Sequence, residues 1–176
     1  YGSSGYGSSG YGSSGYGSSG SSSTTVTVSV GLSGIACSAY DADAESVLVN
    51  AMVTTLNDGG LYVSASDFST TTCADSRRRR GLLQTDSVSI ALPFSVDTSS
   101  YYDDSFSEDN IASTVSSTVS TAQASGALDS TIASEASYLG VTSAIASVSA
   151  TSVSATTATT TDDSGGYSGG SSWDDG

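Results

Sequence analysis

The stretch Thr25–Leu56, TVTVSVGLSGIACSAYDADAESVLVNAMVTTL, changes its apolar period once, and that change decides the fold. Over TVTVSVGL the apolar residues Val26, Val28, Val30 and Leu32 recur at every second position. This puts them on one face of a strand and leaves a hydroxylic face on the other side. From Asp41 the spacing becomes helical: Ala44, Leu48, Ala51, Met52 and Leu56 fall on one side. Asp41, Asp43 and Glu45 occupy the first turn, where the helix dipole favours acids, and Gly59-Gly60 supplies a stop. A strand followed by a helix, with one apolar side each, calls for a sheet covered by helices.

Working outward, Leu61–Phe68 reads as a shorter strand, and Ser87–Val96, SVSIALPFSV, as a strong one with Val88, Ile90, Leu92, Phe94 and Val96 alternating. Pro93 falls on its outward side, where it removes a donor and suggests a bulge or an unpaired stretch. After an acidic, tyrosine-bearing loop at Asp97–Asp104, Ser107–Ala124 places Ile111, Val115, Val119 and Ala122 at helical spacing with Ser107 as N-cap. Its many Ser, Thr and Val residues make this helix dependent on packing. A break at Ser125-Gly126, a short amphipathic piece with Leu128 and Ile132, and a β-compatible segment Ala144–Ala155 around Ile145, Val148 and Val153 complete the pattern. The expected class is α+β: a ferredoxin-like split β-α-β (βαββαβ) with a four-stranded antiparallel sheet and the helices on one face. That order puts Leu61–Phe68 and Ala144–Ala155 on the edges, open to another chain.

The flanks differ from this domain. Tyr1–Gly20 is YGSSG four times over, a five-residue period that fits neither strand nor helix, and reads either as a flexible arm or as an arm whose tyrosines couple chains. Residues 158–176 form an acidic Gly/Ser-rich tail, leaving 21–157 as the folded unit. A start at Tyr1 suits a processed chain or a piece of a longer one. Ser and Thr make up roughly a third of the residues. With a formal charge of -14 and all four cations in Arg77–Arg80, binding to nucleic acid or to anionic lipid is not expected. Nor is membrane insertion, since no apolar run approaches the ~18 residues of a span. Two cysteines suffice for one disulfide, whereas zinc would need two further ligands that a chain without His takes only from carboxylates. A Cys37–Cys73 disulfide, and with it secretion to an extracellular or cell-surface location, is the expectation.

The segments TVTVSVGLSGIACSAYDADAE and SRRRRGLLQTDSVSIALPFSV, with the helix opening at Ser107, resemble secreted proteins of algae and other eukaryotic microbes. In topology the domain is similar to SEA modules, which are extracellular, ferredoxin-like and often found in heavily O-glycosylated proteins. With its low-complexity arms the chain also resembles protomers of glycosylated extracellular fibrils. The Gly-Ser autoproteolysis motif of SEA modules is missing, so the resemblance does not imply self-cleavage.

Chemistry is sparse. Serine nucleophiles have no His or Lys to activate them, and the pairs Asp103-Asp104, Asp162-Asp163 and Asp174-Asp175 lie in loops or tails without an apolar setting to split their pKa values. No enzymatic activity, cofactor or metal is expected; Asp41, Asp43 and Glu45 read as a helix start, not as a calcium loop. Arg77, Arg78, Arg79 and Arg80 match a basic processing site cut after Arg80, weighed equally against a solvated hairpin tip or a patch that pairs with a neighbour's acids. No Asn lies in an N-glycosylation sequon, so candidate glycan sites are O-linked: Ser21, Ser22, Ser23, Thr24, Thr25, Thr156, Thr157, Thr159, Thr160 and Thr161. The function expected is a structural protomer carrying covalent O-glycans and self-associating into a helical filament through terminal arms and sheet edges. The alternatives are a monomeric adhesion or receptor ectodomain module and an acidic calcium- or mineral-associated matrix protein.

Overall fold

A computed structural model describes residues 23–76, 86–97 and 108–158. Over these residues the fold is α+β, with a four-stranded antiparallel sheet and three α-helices. In order they are β1 (Ser23–Ser33), α1 (Ala42–Asp58), β2 (Thr72–Asp75), β3 (Ser87–Asp97), α2 (Glu108–Ala124), α3 (Ala127–Leu139) and β4 (Ser149–Ala158). The strands lie side by side as β2-β3-β1-β4. The long pair β1 and β3 therefore forms the centre, and the edges are β2 and β4.

The alternation read in the sequence sets the core. Val26, Val28, Val30 and Leu32 of β1 stand beside Phe94, Leu92, Ile90 and Val88 of β3, all buried. Onto them α1 contributes Ala44, Val47, Leu48, Ala51, Met52 and Leu56, while α2 adds Ile111, Val115 and Val119 at four-residue steps, and α3 Leu128, Ile132 and Ala136 likewise. α1 starts at Asp41, whose carboxylate accepts from the Ala44 amide at 2.9 Å. α3 is longer than the short piece expected. It is bounded by Gly126 and Gly140 at φ 73° and 69°, the left-handed region that glycine enters without strain.

Two boundaries differ from the expectation. The second strand is Thr72–Asp75, not Leu61–Phe68. Leu61 and Val63 are buried as alternation requires, but local polar groups claim the backbone there. The Asn57 side chain holds both the Val63 amide and carbonyl, at 2.9 and 3.2 Å, and a Ser64/Asp67 capping box closes a 3-10 turn over Ala65–Asp67. Only Phe68 reaches the sheet, as a single bridge to Phe94. The last strand begins at Ser149 instead of Ala144, because Ala144–Ser147 is a 3-10 turn that drops Ile145 into the core. The expected N-cap Ser107 lies outside the described residues.

Toward β1, Pro93 produces neither a bulge nor a gap, since it pairs with Thr27; toward β2, the expected unpaired stretch is present, because the ladder stops at Ala91 and only the isolated Phe68–Phe94 bridge follows, shifted by one residue. The Pro93 carbonyl accepts from the Ser69 amide at 2.8 Å, so the in-plane groups of residue 93 point toward β2 and away from β1. The missing N–H costs the β1 ladder nothing. The bulge lies instead in β4, opposite Gly31 and Leu32. A side chain at residue 31 would collide with the Ser152 and Thr151 hydroxyls, so the glycine admits the kinked strand.

Candidate functional site

The residues expected to matter fall into three groups. Cys37 and Cys73 are joined by a disulfide with Cα atoms 5.7 Å apart. Cys73 sits within β2 opposite Ile90, not in the loop after the strand, so the bond ties an edge strand to the turn that follows β1. Around it the Cys37 amide donates to Asp75 Oδ1 at 3.1 Å, and Glu45 Oε1 accepts from the Thr71 hydroxyl at 2.9 Å and its amide at 3.3 Å. The Tyr40 hydroxyl lies 3.4 Å from Thr71 Oγ1. Burial, opposed by that hydrogen bond and aided by the Glu45 charge, pushes the phenol up to about 12. The arginine run Arg77–Arg80 lies outside the described residues.

The O-glycan candidates divide by position. Ser21, Ser22, Thr159, Thr160 and Thr161 lie outside the described residues, and Ser23 opens β1. Thr25 is half-buried, while Thr156 and Thr157 are exposed on β4. Thr24 is a correction: it is fully buried, its side chain on the core side of β1 beside Val96, and its hydroxyl has no hydrogen-bond partner. A group sealed in the folded core has no room for a sugar.

The first turn of α1 borders a hollow of about 410 Å³ shared with the end of α3, where Asp41 and Asp43 face Gly140 to Ser143. Asp41 is already engaged as the helix cap. Among the described residues no three acidic, Cys or His side chains converge as a metal site, and no helix is long and apolar enough to cross a membrane.

What remains is the sheet's two edges, and they are unequal. On the β2 side the edge strand has four residues, ends in Asp75 and is stapled by the disulfide, while β3 beyond it presents Pro93 and is covered by the Phe68 bridge. The aromatic rings of Phe68 and Phe94 stack there, 4.9 Å apart. Short length, charge and proline are the usual ways of blunting an edge. β4 has none of them: SATSVSATTA runs for ten residues without proline or charge.

Hydrogen-bond alternation fixes which groups of β4 face outward. Since residue 93 points to β2, its neighbours Leu92 and Phe94 point to β1, and so Val26, Val28 and Val30 point back to β3. The Gly34 amide, which donates to the Asp86 carbonyl at 2.8 Å, keeps the same phase. Thr25, Thr27 and Ser29 then turn to β4, where they engage Ala158, Thr156 and Ser154. The backbone groups of Val153, Ala155 and Thr157 are left on the free edge. At the other end of the strand, Ala150 also points outward but is capped by side chains: its amide donates to Asp129 Oδ1 at 2.8 Å and its carbonyl accepts from Gln123 Nε2 at 3.2 Å. The open edge is thus the half of β4 beyond the bulge. The strand's position was legible only in part, and the Asp129 and Gln123 caps were not, because nothing local in the sequence joins residues more than twenty apart.

Compared with protein-family models, curated proteins and solved structures, the chain matches none.

Proposed function

We propose that this chain is a structural protomer of an O-glycosylated extracellular fibril or cell-surface layer, assembling through its terminal arms and sheet edges. The observation that carries the reading is the open half-edge of β4 beyond its bulge, on a sheet whose opposite edge is blunted by short length, charge, proline and the disulfide. Free strand edges invite pairing, and proteins that stay monomeric suppress them. The fold reading behind it is a split β-α-β plan of the ferredoxin-like kind. Each crossover, β1 to β2 and β3 to β4, skips one strand of the order β2-β3-β1-β4, and α3 is an addition to the second crossover. The disulfide supports secretion, since such bonds form and persist in oxidising compartments.

Glycans and edge pairing are compatible on one strand. Side chains such as those of Thr156 and Thr157 stand roughly perpendicular to the sheet, whereas pairing uses groups in its plane. The test is to secrete the full chain from a eukaryotic host, weigh it intact and image it by negative stain. Filaments together with hexose-sized mass increments on hydroxyl-rich peptides are expected. Unmodified monomers at every concentration would overturn the reading in favour of a monomeric surface module.

A further inference from the structure

We infer that Val153, Ala155 and Thr157 form a self-complementary half-edge that pairs, antiparallel and about a two-fold axis through Ala155, with the same half-edge of a second copy. This rests on the reading that the chain self-associates through sheet edges, and it names the occupant of the edge that the described residues leave open.

The geometry admits few alternatives. In an antiparallel pair, residues that point at each other exchange both backbone hydrogen bonds, and every second residue does so. With outward groups at 153, 155 and 157, a two-fold axis at Ala155 sets Ala155 against Ala155 and Val153 against Thr157 twice, using every free group of both edges in about six hydrogen bonds. Moving the axis by one or two residues leaves some unpaired. The ladder ends where it must: before residue 153 the bulge at Gly31/Leu32 kinks the strand, and Asp129 and Gln123 already hold the backbone of Ala150.

Electrostatics and propensity favour a second copy over a terminal arm. The chain carries a formal charge of -14, so two copies meet with least repulsion where neither presents a charge, and Ser149–Ala158 contains none. A YGSSG repeat is mostly Gly and Ser with a five-residue period, a composition of low strand propensity, whereas β4 is already extended and carries Val153, Thr156 and Thr157.

The pairing also places the ends of the described sheet. Register sets Thr25 beside Ala158, so the start of β1 and the end of β4 lie at one end of the sheet. A two-fold axis perpendicular to the strands puts these ends of the two copies at opposite ends of the joined sheet, so further contacts made there would propagate in both directions.

The experiment uses the full, disulfide-bonded chain across a concentration series, with sedimentation velocity and backbone amide exchange by NMR. The first species above monomer is expected to be a dimer. The Val153, Ala155 and Thr157 amides should slow at least about tenfold as it forms, while Ser154 and Thr156 stay protected throughout. Ala155→Pro removes an outward N–H, as Pro93 does in β3, and should leave a folded monomer. A ladder that includes trimers from the outset, with the three amides protected, would overturn the two-fold pairing in favour of an arm. Association with those amides unprotected would overturn the half-edge while leaving self-association standing. A chain that stays monomeric throughout would sink both. Should Ala155→Pro fail to fold, the alternating amide pattern of the unaltered chain decides alone.

Discussion

Thr24 and Tyr40 show how single side chains depart from what composition suggests. A hydroxyl-rich sequence invites the reading that each Ser or Thr is wet, yet Thr24 continues the alternation of Val26 and Val28 and carries its hydroxyl into the core without a partner. Desolvating an unpaired hydroxyl is unfavourable, so Thr24→Val, nearly the same shape, should stabilise the domain by roughly 1 kcal/mol. A urea midpoint that falls would show that the hydroxyl has a partner. Tyr40 is the reverse case, a polar group whose neutral form the fold protects. Its phenol ionises near 10 in the unfolded chain and is pushed up to about 12 in the fold. The unfolded state therefore releases its proton first, and the contribution of Tyr40 is fully present below pH 10 and lost as pH rises from 10 toward about 12. Unfolding followed by circular dichroism should show this alkaline decline, and Tyr40→Phe should flatten it.

At the scale of elements, β2 and α2 are held by their neighbours. β2 has four residues, mostly exposed, and stands on its pairing with β3 and on the bond from Cys73 to Cys37. Closing a loop across a separation of 36 residues stabilises by roughly 3–4 kcal/mol in the chain-entropy view. Replacing both cysteines by serine should lower the unfolding free energy by that amount and give amide exchange in Thr72–Asp75 before the rest of the sheet. Equal loss across all strands would contradict the staple. α2, EDNIASTVSSTVSTAQA, is rich in residues of middling helix propensity and is positioned by Ile111, Val115 and Val119. Val115→Ala should therefore cost roughly 1–3 kcal/mol, far more than its propensity change in the opposite direction, measured by thermal or urea unfolding. The misplaced second strand belongs to this scale as well. Leu61 and Val63 alternate as in a strand, and the Asn57 clip and the Ser64/Asp67 box turn that alternation into a mostly exposed loop that buries these two side chains.

For the whole molecule the governing quantity is charge. At -14 and a pI near 4.1, copies repel one another at neutral pH, and any contact between uncharged edges must overcome that field. Raising ionic strength from about 0.01 M to 0.15 M shortens the screening length from roughly 30 to 8 Å. Light scattering should consequently show more association at the higher salt. A fall with salt would instead indicate that attraction between opposite charges, such as the arginine run and a neighbour's acids, holds the assembly.

The sequence by itself determined the class, the strands at the centre and the core. Two-residue alternation in β1 and β3 and helical spacing in α1 and α2 are local patterns, and each is enforced by the same burial the structure displays. It also determined the partner of each cysteine, since there were only two. Tertiary structure alone decided where β2 and β4 begin, that Thr24 is sealed, and which backbone groups of β4 stay free. Those outcomes depend on contacts between residues far apart in the chain, such as Asp129 and Gln123 with Ala150, or Ser69 with Pro93. Edge strands carry weak patterns because half of their environment is water, so their limits are set by what the rest of the fold places beside them.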